Sequence, residues 1–220
     1  FFYVIDPSSR FDALQTMCMK MTIGPCLNHH HTKELMRMGL VKHGKAPDNV
    51  CRWEGCLCRD GIITSIQWEH KHEKDTKVQV FTLMWLPPSL ETVIMCRKSI
   101  GPTFHTRSLP RALRHMRIEY CQLSGNLDMR GLPHRTEHLL LPHNKFSGVV
   151  HLVHLPPTIR RIDLGYNPLK LGRVENSHLP KCLEECLIGS IYEETKIVAL
   201  DGRRIFEYVY PQECDRKKKK

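Results

Sequence analysis

The sequence predicts a short α/β-type solenoid, with a parallel sheet of about five to seven short strands on its concave side. Three observations predict it. The dipeptide Leu-Pro recurs at Leu86-Pro87, Leu109-Pro110, Leu132-Pro133, Leu155-Pro156 and Leu179-Pro180, at spacings of 23, 23, 23 and 24 residues. Seven residues after each of those leucines stands an apolar residue, Val93, Met116, Leu139, Ile162 or Cys186, and two further on stands another, Met95, Ile118, Leu141, Leu164 or Ile188. Three more columns close each period: Lys98, Cys121, Asn144 and Asn167; then Ile100, Leu123, Phe146 and Leu169; then Phe104, Leu127, Val150 and Val174. A period of this length marks one supersecondary unit that buries its apolar faces only by stacking on copies of itself.

Residues 1–48 read as an N-terminal helical segment. FDALQTMCMK and TKELMRMGLVK carry apolar spacings that fit two short helices. They are expected to cover the open end of the solenoid, because an unprotected terminal coil exposes apolar surface and unpaired strand edge. Residues 49–85 hold a cysteine-containing cap and a first, irregular coil. Ile62 to Trp68 alternates as a strand, and the almost wholly charged stretch from Glu69 to Lys77 reads as a surface insertion.

Residues 86–191 are the repeats, five copies of about 23 residues. Alternation of the first two apolar columns makes each a short strand with those side chains inward, since a pleated strand has a period of two. Proline breaks segments such as HTRSLPRAL and LVHLPPTI, so the convex side is expected to be mostly turns and extended chain. The single spacing of 24 is absorbed near Lys170 to Gly172. Thr136 stands where Leu90, Leu113, Ile159 and Leu183 stand in the other copies, which predicts a local packing defect. Residues 192–214 form a closing segment with strands expected at Ile197–Asp201 and Arg204–Tyr210, and 215–220 a disordered basic tail.

The phrases HLLLPHNKFSGVV and RIDLGYNPLKLGRV resemble the leucine-rich repeat signature L-x-x-L-x-L-x-x-N/C-x-L. The resemblance implies that Cys121, Asn144 and Asn167 sit inside the turn after each strand and hydrogen-bond backbone groups of neighbouring coils. Lys98 and Ile191 depart from the pattern, as residues of terminal repeats often do. Upstream, Cys51-x-Trp53-x-Gly55-x-x-Cys58 is similar to the N-terminal cap of plant-type leucine-rich repeat proteins. That likeness implies a disulfide between Cys51 and Cys58, a tryptophan packed on the first coil, and a strand directly after. Cys56 departs from it and leaves an odd thiol beside the pair. Zinc held by Cys51, Cys56, Cys58 and a histidine is the competing reading, but paired C-x-x-C knuckles are absent.

No run of the chain reaches the length of apolar sequence a membrane-spanning helix needs. The protein is read as soluble, with an intracellular setting preferred and the compartment left open. Ten cysteines spread from Cys18 to Cys214 lack the dense spacing of a disulfide scaffold. The net charge of +10 at pH 7 favours an acidic partner, although five of the basic residues lie in Arg216–Lys220. Signatures of dinucleotide, nucleotide-phosphate, zinc-protease and serine-hydrolase sites are missing, so no catalysis, cofactor or small-molecule substrate is expected. The clusters His29-His30-His31 and Glu69 to Glu73 read as hydrated surface, and no metal site is expected.

Side chains between the buried strand columns stand out from the concave sheet, and these are the candidate binding residues. One row runs Arg97, Tyr120, His143, Tyr166. A second runs Thr92, His115, His138, Arg161, Glu185, and a third Ile94, Arg117, Leu140, Asp163, Leu187. Tyrosine and arginine supply contact area at modest entropic cost, so Tyr120, Tyr166, Arg117 and Arg161 are the expected anchors for a protein partner. RNA, neutralised by the arginines and stacked on the rings, is the alternative partner, and a fragment of a surface receptor the alternative setting.

Overall fold

The computed structural model describes residues 7–23, 36, 40–41, 48–69, 81–101, 104–189, 195–207 and 209–211. The histidine run, most of the second expected helix, nearly all of the charged insertion and the basic tail lie outside the described residues. Among the described residues the first element is α1 (Pro7–Ile23), followed by β1 (Cys56–Arg59), β2 (Ile62–Trp68), β3 (Thr92–Cys96) and β4 (His115–Glu119). Then come β5 (Ser124–Gly125), β6 (His138–Leu140), β7 (Lys145–Phe146), β8 (Gly148–Leu152) and β9 (Arg161–Gly165). Last are β10 (Leu169–Val174), β11 (Glu185–Gly189), β12 (Lys196–Ala199) and β13 (Val209–Pro211).

These elements wind into a parallel-sheet solenoid of about six turns. One face is an eight-stranded sheet in the order β1-β2-β3-β4-β6-β9-β11-β13, parallel from β2 onward. The opposite side, expected as mostly turns and extended chain, instead pairs its extended segments into the parallel sheet β8-β10-β12 and the short pair β5-β7. The expected five to seven strands thus become eight. The additional one is β1, which turns back antiparallel onto β2. It was unforeseen because four residues within the cap motif give too little alternation to read. The closing strand expected over Arg204–Tyr210 is shorter, with Val209–Pro211 alone pairing with β11.

Register explains the repeat. Each inward residue pairs with its equivalent one period away, so Ile66, Val93, Met116, Leu139, Ile162, Cys186 and Val209 form a continuous buried row. Proline holds the residue before it in extended conformation. Accordingly the 3-10 turns Leu83–Trp85, Thr106–Ser108, Met129–Gly131 and Asn176–His178 all stop at the leucine of a Leu-Pro pair. Each proline carbonyl then accepts from the N–H three residues on, at Leu90, Leu113, Thr136, Ile159 and Leu183. This turn re-aims the chain into the next strand.

At the N-terminal end, α1 lies against the first coil. Met19 and Ile23 are fully buried, and Gln15 bridges the edge, accepting from Ile63 N–H (3.0 Å) while donating to the Gly61 carbonyl (2.7 Å). The Thr82 N–H donates to the carbonyl of Thr22 (2.8 Å), tying helix to coil. Cys51 and Cys58 are joined by a disulfide with Cα atoms 5.6 Å apart. Trp53 is buried beside it, and the Trp68 indole packs on Phe81 and donates to the Glu54 carbonyl. Burial pushes the odd thiol, Cys56, up to about 12, so it stays a protonated core group.

Candidate functional site

The outer face of the large sheet carries the two aligned rows that start at Thr92 and Ile94 and a third at the strand ends. The end row is Arg97, Tyr120, His143 and Tyr166, each just beyond its strand or pairing segment and each in the left-handed region, with φ of 53°, 54°, 54° and 57°. For bulky side chains this backbone is costly and survives only where the surroundings enforce it. Two things enforce it here. The Arg97 and His143 N–H groups bond to the carbonyls of Glu119 and Gly165 on the next coil, and the sharp bend turns the following residue inward, fully for Cys121, Asn144 and Asn167 and only partly for Lys98.

That following residue is Lys98, Cys121, Asn144 or Asn167. Asn144 Oδ1 accepts from the N–H of Cys121 and of Leu123, while Nδ2 donates to the carbonyls of Ile118, Leu141 and Pro142. Asn167 repeats the arrangement one coil on, accepting from Phe146 N–H and donating to Leu141, Leu164 and Gly165. The Cys121 thiol, pushed up to about 11 mainly by burial, stays a donor to the Glu119 carbonyl (3.1 Å) and accepts from Lys98 N–H (3.4 Å). These side chains satisfy backbone groups that the bend would otherwise leave buried and unpaired.

Because the bends align, the end row stacks. Ring centroids of Tyr120 and His143 are 4.1 Å apart at 13°, and those of His143 and Tyr166 3.9 Å apart at 15°. The Arg97 guanidinium lies 5.2 Å from the Tyr120 centroid. Tyr120 and Tyr166 remain exposed, whereas burial lowers the pKa of His143, against the opposing pull of Glu119 and Asp163.

Between the strand ends, cations are matched by anions within the sheet. Arg117 pairs with Glu119 (2.6 Å) and Arg161 with Glu185 (2.6 Å), and Glu185 also accepts from the Tyr210 hydroxyl. At the strand entrances, Arg114 pairs with Glu137 (2.6 Å) and Arg160 with Glu184 (3.0 Å). Asp163 is half-buried in the middle of the face. Burial raises its pKa, opposed by the Gly165 N–H that it accepts and by Arg161. His115 and His138 are register partners with rings 5.0 Å apart. Among the described residues, the group able to offer three metal donors is His115, Glu137 and His138.

The structure thus gathers Arg97, Tyr120, His143 and Tyr166 into one stack, and His115, Arg117, His138, Arg161 and Asp163 onto the same face beside it. Sequence reasoning missed Glu119 and Glu137. A signal for the second was present: Glu91, Arg114, Glu137, Arg160 and Glu184 occupy one column of the repeat and alternate in sign.

No family model matches the sequence, and no curated protein matches it. Among solved structures, the crystal structure of a plant ice-binding protein is similar to 93% of this chain and 78% of its own, at 14% identity and a TM-score of 0.48.

Proposed function

We propose that the coils are leucine-rich repeats and that the chain is a non-catalytic module binding a protein partner through the outer face of its large sheet, as a subunit of a larger assembly. The hydrogen-bonded column of Cys121, Asn144 and Asn167 after each strand supports the repeat assignment. The observation that carries the binding assignment is the Arg97–Tyr120–His143–Tyr166 stack: four side chains aligned on left-handed backbone, with three rings packed face to face and both tyrosines exposed. A preorganised aromatic patch with little rotamer entropy left to lose fits the anchors of protein interfaces.

The same geometry weakens the RNA alternative. Nucleobases stack on ring faces, but His143 is covered by a tyrosine on each side, Tyr120 by His143 and the Arg97 guanidinium, and Tyr166 by His143 on one face. Phosphates need unpaired cations, and Arg114, Arg117, Arg160 and Arg161 are each bound to a carboxylate.

A pull-down from native extract, with and without RNase, tests the reading. The intact chain is compared with a variant carrying Tyr120→Ala, Tyr166→Ala and Arg117→Ala. A protein recovered after RNase by the intact chain and lost from a folded variant is expected. Recovery that disappears with RNase, or that survives the triple substitution, overturns the assignment.

A further inference from the structure

We propose that His115, Glu137 and His138 form a binding site for a divalent transition-metal ion, Zn2+ being the ion their chemistry suits. This proposal is independent of the protein-binding reading. His115 and His138 face each other across the parallel strands β4 and β6, so both imidazoles leave the same side of the sheet one strand spacing apart. Their rings are tilted by 59°. They therefore differ from His143, whose ring is closed between two tyrosines.

Glu137 enters from the residue preceding β6. Its Oε1 is held by Arg114 at 2.6 Å, which fixes the carboxylate and leaves Oε2 at 4.0 Å from His115 Nε2. One donor atom from each of the three residues lies within 4.8 Å of the others. Zinc bonds of about 2.0–2.2 Å require donors roughly 3.4 Å apart, so closure asks for about 1 Å of side-chain movement. All three side chains are partly exposed, so the two imidazoles can close on the ion by side-chain rotation while Glu137 keeps Oε1 on Arg114.

The donor set decides the ion. Two imidazoles and one carboxylate suit zinc and its borderline neighbours, whereas calcium and magnesium take oxygen ligands. Three protein ligands leave a fourth position for water or another donor. Arg114 supplies the outer hydrogen bond that orients a ligating carboxylate. Arg161, beside His138, is neutralised by Glu185 at 2.6 Å, which limits its repulsion of a cation.

The test is a calorimetric titration of the whole chain with zinc chloride, beside His115→Gln, His138→Gln and Glu137→Gln variants whose metal-free unfolding midpoints are measured first. The intact chain is expected to take up one equivalent more than either histidine variant, and Glu137→Gln to bind that equivalent about tenfold or more weakly. Equal uptake at equal affinity by the intact chain and both histidine variants overturns the site, as does loss in only one of them. A second measurement needs no variant to fold: the ring signals of His115 and His138 in the intact chain should shift together as zinc is added. If neither moves, the proposal fails.

Discussion

The Thr136 hydroxyl is fully buried with no hydrogen-bond partner, at the one repeat position where other copies carry leucine or isoleucine. Its backbone is in order, with the N–H bonded to the Pro133 carbonyl and the carbonyl accepting from the Thr158 hydroxyl. The fault is therefore confined to one oxygen, and the expected packing defect is a defect of solvation. Burying an unpaired hydroxyl costs about 1–3 kcal/mol, so Thr136→Val, which keeps the shape and removes the oxygen, should stabilise the fold by about 1 kcal/mol. Denaturant titration measures this directly. A midpoint unchanged or lowered would mean that water reaches the hydroxyl, and the packing argument would fall. The contrast with Asn144 is instructive, since that buried side chain makes five hydrogen bonds to backbone and is consequently part of what holds the bend.

Strands of the large sheet were legible because their inward columns alternate with polar ones, and the end row was legible because Arg97, Tyr120, His143 and Tyr166 keep one distance from those columns. Of the opposing strands, β12 (Lys196–Ala199) falls on the closing strand expected over Ile197–Asp201, whereas β8 and β10 were not legible as strands of a second sheet. Their apolar positions mix with glycine, and the added residue near Lys170 shifts the register between Leu169 and Leu171. The alternating salt bridges were overlooked because their partners lie a full period apart in sequence. Stacking, too, has a consequence that sequence does not show. His143 has its charged form penalised by burial between Tyr120 and Tyr166, more than Glu119 and Asp163 favour that form. A histidine whose folded pKa is lowered costs no stability above the unfolded value of 6.5, where both states are neutral, and destabilises the fold as pH falls through it. Thermal midpoints should therefore drop on acidification below about pH 6.5, and His143→Gln should flatten that slope. An identical slope in the variant would show that the stack does not hold the ring neutral.

At the scale of the molecule, one apolar core runs from Met19 to Val209, yet each coil touches only its neighbours. Stability in such an array depends on register between adjacent coils and little on which coils they are. Removing Leu132 to His154, one 23-residue period, joins Gly131 to Leu155-Pro156 and restores the same turn into Leu-Pro. β4 then meets β9 with Met116 beside Ile162. Asn167, which now donates to the Leu141 carbonyl at 2.9 Å, meets the Ile118 carbonyl that Asn144 now holds at 2.8 Å. One loss is foreseeable: without Glu137, Arg114 faces Arg160 and the alternation of charge is broken, at a cost of a few tenths of a kcal/mol for an exposed pair. The shortened chain should accordingly keep a cooperative unfolding transition at reduced midpoint. Deleting only Leu132 to His143, about half as much sequence, removes β6 but leaves the rest of its coil without a strand to follow, and should abolish that transition. Circular dichroism melts of the two deletions settle the matter: if the smaller deletion is the better tolerated, register between coils is not what holds this solenoid together.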